Sequence, residues 1–276
     1  MKSLQNMVAV VTGAASGIGR ALAVELARRG CDLAISDLDD AGLEETRERI
    51  EKLGRAAMTG RLDVARMEEM KRFAAEVMDR FGKTDILMNN AGIALVAPVE
   101  EMNHEAFSRV MAVNFWGAYN GVTAFLPQMR KQPAARIVNI SSIMGLWALP
   151  TQAAYNCSKF AVRALSESLA QELAGTGVVV SCVYPGGVKT NIARQANFQQ
   201  PFGPLKDKEN FARLFDKYLA HTTPEKAAET IIKGMQAGRA RILVGPDAYL
   251  VDVTQRLFPA VYQKIIPAIF KRSYQS

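Results

Sequence analysis

The sequence predicts an α/β fold: a single doubly wound domain in which a seven-stranded parallel sheet carries helices on both faces. Two observations predict it. Short apolar runs rich in β-branched residues alternate along the chain with longer stretches whose apolar residues recur at helical spacing, the pattern of a parallel sheet covered on both sides. Polar and glycine-rich residues gather just past the carboxyl ends of those runs, where open α/β sheets bind ligands.

The elements follow in order. Val8-Ala-Val-Val11 reads as a buried first strand. Thr12-Gly-Ala-Ala-Ser-Gly-Ile-Gly19 follows at once, then a helix from Arg20 to Arg29 with Leu22, Ala23 and Leu26 on one side, stopped by Gly30. Asp32 to Ser36 is the second strand and ends at Asp37. Asp40 to Leu53 is a polar amphipathic helix, and Arg55 to Leu62 carries the third strand, ending near Asp63 and Val64. Met67 to Phe81 is the next helix. Ile86-Leu-Met88 is the fourth strand, with Asn89-Asn-Ala-Gly92 at its end. One long helix is expected from Glu105 to Arg130, with Pro127 near its end. Arg136 to Ile140 is the fifth strand, with Ser141 and Ser142 just past it. Ala154 to Ala174 is a long helix, Val178 to Val183 the sixth strand, Pro224 to Ala237 a helix and Arg241 to Val244 the seventh strand. No internal repeat or interdomain linker interrupts residues 1–276.

Strand, glycine turn and helix together make the glycines meaningful. Gly13 permits the tight turn, Gly17 lets the backbone approach a pyrophosphate, and Gly19 allows helix and strand to pack closely. The helix N-terminus offers unpaired N–H groups to the phosphates. Asp37 lies eighteen residues after Gly19. An acid near that distance hydrogen-bonds the adenosine ribose 2′-OH, and its charge repels a 2′-phosphate. A Rossmann-type dinucleotide site is expected.

Tyr155 and Lys159 are four apart, which stacks them on one helix face. A phenol is a poor acid or base at neutral pH, and a nearby ammonium favours its anion. The pair is a plausible proton-transfer device, with the Ser142 hydroxyl able to polarise the oxygen that gains or loses the proton.

Thr12-Gly-x-x-x-Gly-x-Gly19, Asp63-Val64, Asn89-Asn-Ala-Gly92, Asn114, Ser142, Tyr155-x-x-x-Lys159 and Pro185-Gly-Gly-Val-Lys-Thr190, in that order and spacing, resemble the short-chain dehydrogenase/reductase family. The resemblance runs from Val8 to Thr190. It implies a nicotinamide-dependent oxidoreductase acting on CH–OH groups. Tyr155 would then be the proton donor or acceptor. Lys159 would lower its pKa and hold the nicotinamide ribose, Ser142 would steady the substrate oxygen, and Asn114 would link Lys159 to a water relay. The family's dinucleotide positions fall on Gly13, Ser16, Gly17, Ile18, Gly19, Asp37, Asp63, Val64, Asn90, Ala91, Gly92, Tyr155, Lys159, Pro185, Gly186, Val188 and Thr190. Asp63 would face the adenine amino group and Val64 the ring. Asn90 to Gly92 would lie along the adenosine ribose and bridge the central strands, and Val188 and Thr190 would reach the carboxamide. NADP-dependent relatives usually carry a basic residue near position 16 or just after 37; Ser16 and Leu38 are uncharged, so NAD is expected. An NADPH-dependent carbonyl reductase and a non-catalytic dinucleotide sensor or scaffold are the alternatives. The second is disfavoured by the joint presence of Asn114, Ser142, Tyr155 and Lys159.

Composition narrows the class. The chain has 276 residues and a net charge of +7, but its basic residues are scattered among acids, as in Glu44 to Lys52, so no nucleic acid is expected. Two isolated histidines and three cysteines, Cys31, Cys157 and Cys182, lack ligand spacing, so no metal is expected. The odd cysteine count fits a reducing cytoplasm. Met1 to Asn6 is too short and polar for a secretory signal.

Residues 190–223 form a long connection containing Phe198, Phe202, Phe211 and Phe215, with Pro201 and Pro204 and a helical stretch from Lys208 to Ala220. Connections this long in compact domains are functional lids or contain small helices, and this one reads as a substrate cover. With Ile93 to Val96 and Leu146 to Leu149 as further walls, this one suggests an apolar alcohol or ketone on a steroid, retinoid, long-chain or aromatic skeleton. Residues 246–276 read as a C-terminal helical extension, apolar at Tyr249 to Phe258 and Val261 to Phe270 with interspersed Arg256, Lys264, Lys271 and Arg272. Three roles stay open for it: packing on a second subunit, closing the pocket, or resting on a membrane surface. The family resemblance implies a homodimer or homotetramer built through Glu105–Arg130 and Ala154–Ala174.

Overall fold

The computed structural model describes residues 3–203, 205–264 and 266–267. Pro204 and the last part of the predicted tail, including Phe270, Lys271 and Arg272, lie outside them.

Seven strands make one parallel sheet: β1 (Val8–Thr12), β2 (Asp32–Asp37), β3 (Ala57–Arg61), β4 (Ile86–Asn89), β6 (Ala135–Ile140), β7 (Val178–Pro185) and β9 (Arg241–Val244), in the order β3-β2-β1-β4-β6-β7-β9. Every pairing is parallel, and Val10 lies between Ala34 and Leu87. All five residues of β1 are buried, because a strand covered on both faces has no polar side to show. Alternate residues serve opposite layers. Ala9 and Val11 join a core with Leu22 and Leu26 of α1 (Gly17–Arg28) and Ile231, Ile232 and Met235 of α8 (Pro224–Gln236). Val8 and Val10 join one with Phe73 and Val77 of α3 (Met67–Phe81), Phe125 of α5 (Gly117–Met129) and Leu169 of α6 (Ala153–Glu172). Burying a side chain the size of Phe125 contributes about 2–3 kcal/mol.

Local chemistry sets the helix ends. The Asp39 side chain caps α2 (Asp40–Glu51) by accepting the Gly42 N–H at 3.0 Å. Thr223 caps α8, where Pro224 takes the first turn. α3 stops at Gly82, whose φ of 72° is left-handed.

The single long helix expected from Glu105 to Arg130 is not one regular helix. α4 (His104–Met111) passes into a π-helical turn, Ala112–Trp116, before α5 begins. Two contacts are made at the wider turn. The Asn114 side chain is tied to the backbone of Ile93, and Gly117 lies so close to Val64 that a Cβ there would meet Val64 Cγ2 at 2.6 Å.

A second, two-stranded sheet was not foreshadowed by the sequence pattern: β5 (Leu95–Val96) pairs in parallel with β8 (Asn197–Phe198). It ties the connection after β7 to the segment after β4. α7 (Lys208–Tyr218) follows in that connection, and α9 (Pro246–Leu257) follows the last strand.

Candidate active site

The strand order reverses between β1 and β4, opening the crevice where α/β sheets take ligands. The glycine turn forms one wall. Gly13 has a φ of 67° and Gly17 of 54°, both favoured by glycine. A Cβ on Gly19 would sit 2.0 Å from the Gly13 carbonyl, so α1 starts as close to β1 as backbone allows. Ser16 stands at the N-cap of α1, where its carbonyl accepts the Arg20 N–H at 3.1 Å while its side chain makes no capping bond, and Ile18 packs on the core beneath. The Asp37 carboxylate accepts the N–H groups of Ala15 at 3.0 Å and Leu38 at 2.7 Å. The end of β2 is thereby locked to the turn.

Asn90 bridges the two central strands. Its Nδ2 donates to the carbonyls of Thr12 and Gly13, both at 3.0 Å, while Thr12 Oγ1 accepts the N–H groups of Asn90 (3.0 Å) and Ala91 (3.2 Å). Gly92 comes next, and a Cβ there would lie 3.3 Å from Asn114 Oδ1 and 3.5 Å from Lys159 Nζ. The segment that begins at the dinucleotide turn therefore ends against the Tyr–Lys helix. Asn114 accepts the Ile93 N–H at 2.8 Å and donates to the Ile93 carbonyl (3.0 Å) and Ser158 Oγ (2.9 Å).

Asp63 and Val64 lie just past β3. The Asp63 carboxylate accepts Arg109 Nη1 at 2.8 Å and the Ala65 N–H at 3.0 Å. Burial works against its ionisation, but these bonds outweigh it and hold the carboxyl below its usual range. Its oxygens are thus already engaged by protein groups, a pairing the sequence pattern did not suggest. Val64 is buried, and its carbonyl accepts Asn120 Nδ2 at 2.9 Å.

Pro185 ends β7, and the loop from Gly186 to Thr190 turns back across the crevice. Val188 is buried and bridges Thr222. A Cβ on Gly17 would meet Thr190 Cγ2 at 3.2 Å, so the glycine turn and this loop close on each other. Asp247 of α9 accepts the Gly187 N–H at 2.7 Å. Nothing local in the sequence marks Asp247 as part of the site.

Tyr155 and Lys159 project from one face of α6, with Nζ 5.4 Å from the ring centroid. Lys159 is buried, and Nζ donates to the Ile140 carbonyl at 2.9 Å. Ser142 hydrogen-bonds to the phenol while its Oγ also accepts the Met144 N–H at 3.1 Å. Ser141 points elsewhere: its hydroxyl donates to the Lys159 carbonyl at 2.8 Å. The two serines thus divide the work, one facing the phenol and one bracing the helix. The phenol differs from expectation. Burial pushes it up to about 12, opposed by the Ser142 bond, and burial lowers the Lys159 ammonium to about 8. The ammonium lies over the ring rather than beside the oxygen, and desolvation dominates both groups. Tyr155 also joins an apolar cluster with Ala94, Val96, Ala196, Phe198 and Phe211, so the 190–223 connection covers the phenol.

A dinucleotide fits these residues: positive-φ glycines at the turn, a carboxylate at the end of β2, and a buried amine beside the central segment. Comparisons agree. The short chain dehydrogenase family profile matches residues 7–201. A Mycobacterium tuberculosis protein named as an oxidoreductase, SadH, is 44% identical over 270 residues, 97% of this chain and 96% of that one. The structure of a short chain dehydrogenase/reductase from Burkholderia phymatum in complex with NAD superposes with a TM-score of 0.85 at 29% identity, covering 93% of this chain and 95% of that one. A short chain dehydrogenase from Mycobacterium paratuberculosis bound to NAD gives 0.76 at 26% identity, covering 88% and 97%. Turn, crevice and Tyr–Lys helix thus lie within the stretch that the family profile matches, and the chain belongs to the short-chain dehydrogenase/reductase family of oxidoreductases.

Proposed function

We propose that this oxidoreductase prefers NAD and interconverts secondary alcohols and ketones on apolar skeletons such as steroid, retinoid, long-chain or aromatic ones. One observation carries the reading: the Tyr155 phenol meets the Ser142 hydroxyl inside a cluster of apolar lid residues, Phe198 and Phe211 among them. A proton-transfer group lined this way takes an alcohol whose remainder is apolar.

The dinucleotide, when bound, supplies the hydride acceptor or donor. In alcohol oxidation Tyr155 Oη takes the hydroxyl proton; in ketone reduction it returns one. Ser142 Oγ holds the same substrate oxygen. Lys159, anchored through Ile140, holds the ribose beside the phenol. Asn114 keeps the Ile93 backbone in place, and the π turn around it provides the family's water-relay position. Gly13, Ser16, Gly17, Ile18 and Gly19 hold the pyrophosphate, and Asp37 the adenosine ribose. Asp63 and Val64 flank the adenine, Asn90, Ala91 and Gly92 the central span, and Pro185, Gly186, Val188 and Thr190 the carboxamide. The carboxylate of Asp37 disfavours a 2′-phosphate, which supports NAD over NADP.

Among the described residues no helix is long and apolar enough to cross a membrane. The free cysteines Cys31, Cys157 and Cys182 support our assignment of the chain to the reducing cytoplasm. Trp116 and Tyr119, whose rings touch, and Phe160 of α6 are exposed on the two helices expected to join copies, which supports a homodimer or homotetramer joined there. The test is NADH formation across a panel of hydrophobic secondary alcohols and small polyols, with Tyr155→Phe as the blank. Hydrophobic alcohols are expected to turn over fastest and the variant to fall by about a thousandfold or more while keeping its NAD affinity. Faster polyol turnover overturns the substrate reading, and an active variant overturns the role of Tyr155.

A further inference from the structure

The face of α9 turned away from the sheet is apolar and uncovered among the described residues. Tyr249, Leu250, Val253 and Leu257 recur at helical spacing, and with Phe258 and Val261 they are 43–68% exposed. The opposite face is fixed to the protein. Ala248 and Val251 are buried against Ile143, Leu146 and Tyr184, and Asp252 is buried between Arg241 and Arg256. Six large apolar side chains on one held helix and its exit make a patch of the kind that marks an interaction site.

Charge says what kind. From residue 246 to the end of the sequence there are two acids, Asp247 and Asp252, and four basic residues, Arg256, Lys264, Lys271 and Arg272. Both acids are taken up inside, Asp247 by the Gly187 N–H and Asp252 by its two arginines. Lys264 remains exposed beside the apolar face, and Arg256, exposed too, shares Asp252 with Arg241, so that trio keeps one positive charge in excess. A second copy docked there about a twofold axis would set this cationic rim against itself. A surface that is apolar inside and anionic outside satisfies both halves of the patch.

We propose that α9 and its exit lie on the surface of an anionic lipid bilayer, with Tyr249, Leu250, Val253, Leu257, Phe258 and Val261 at the acyl boundary and Arg256 and Lys264 among the headgroups. Interfacial helices have this division of apolar and basic faces. With twelve residues, α9 rests on a bilayer and does not span it. The same segment reaches the substrate side of the molecule, because Tyr262 packs its ring on Trp147 at 5.2 Å. Docking there sets the wall around Trp147 beside the lipid.

The test is co-sedimentation of the full chain with phosphatidylcholine vesicles, with and without about a quarter phosphatidylglycerol. It is repeated with Leu250→Glu/Leu257→Glu, two exposed changes whose fold is checked by circular dichroism. The chain is expected to partition onto the anionic vesicles at least about tenfold more strongly than onto the neutral ones. The double variant should lose roughly tenfold or more of that binding. Equal binding to both vesicle types, or undiminished binding of the variant, overturns the proposal. So does a change in the variant's solution mass, by light scattering, without vesicle binding by the parent chain, which would make the face a contact between copies. Binding is read without substrate or cofactor, so the outcome is independent of the proposed reaction.

Discussion

The Asp247 carboxylate accepts the backbone N–H of Gly187 at 2.7 Å, across 60 residues of chain. The contact explains one glycine, and the Leu219 backbone explains the next. A Cβ on Gly186 would lie 2.1 Å from both Asp247 carboxylate oxygens, and one on Gly187 would lie 1.8 Å from the Leu219 carbonyl. Asp247 thus pins the loop that ends at Thr190 to the start of α9. Asp247→Ala leaves a buried N–H unpaired, which costs about 1–3 kcal/mol. The expected result is a rise of roughly tenfold in KM for NAD with a smaller fall in kcat, restored by Asp247→Asn, whose amide oxygen can still accept. Steady-state kinetics beside a thermal melt separate loop positioning from general instability.

The Ser142 bond is the one influence drawing the Tyr155 phenol down against burial. Ser142→Ala removes it, so the phenol's pKa moves further up. Alcohol oxidation needs the deprotonated oxygen as base and rises with pH on the alkaline side; in the variant that rise shifts to higher pH. Ketone reduction needs the protonated phenol and keeps its plateau to higher pH. Profiles of kcat/KM in the two directions check the opposed signs, with a loss of about a hundredfold expected at neutral pH.

Strands buried on both faces must be apolar throughout, so Val8 to Val11 and Val178 to Val183 stood out in the sequence, and with them the strand ends that carry Asp37, Asn90 and Ser142. The spacing of Tyr155 and Lys159 also put them on one face correctly. What spacing does not carry is depth: burial, set by elements far away in sequence, turned the expected lowering of the phenol into a rise. The π turn at Asn114 escaped notice because α4 before it has eight residues, too few to fix a phase against which a shift of about 100° could be read. β5 and β8 have two residues each, too few for any periodicity. Asp247 and Arg109 act across 60 and 46 residues of chain, and no local signal points to either.

In the function proposed above Asp37 has two duties, one toward the ribose and one toward the Ala15 N–H. Its neighbour across β2 and β3 is Arg61, whose guanidinium pairs with Asp40 at 3.1 Å on the surface. Asp37→Ala removes the charge that repels a 2′-phosphate and leaves Arg61 as the nearby cation. The ratio of kcat/KM for NAD to that for NADP is expected to fall by about tenfold or more, mostly through weaker NAD binding. Asp37→Ala/Asp40→Ala frees Arg61 and should lower the ratio further. Kinetics with both dinucleotides check the order.

Lys159 is held buried at the expense of stability. Its ordinary pKa of 10.5 falls to about 8 through burial. Between those values the unfolded chain holds a proton that the folded chain has released, so this group makes stability rise with pH there; below about 8 the folded state carries the full penalty, an upper bound of about 3 kcal/mol. Methionine fills similar space without a charge. Lys159→Met also loses the donor to the Ile140 carbonyl, worth about 1 kcal/mol. The variant is therefore expected to be inactive yet more stable at pH 7 by about 1–2 kcal/mol, raising the melting midpoint by a few degrees. That advantage should shrink toward pH 10, where the parent's lysine is neutral in the folded state and the penalty fades. Melts at the two pH values decide it: an advantage that does not shrink with rising pH would show that the buried charge is not its source.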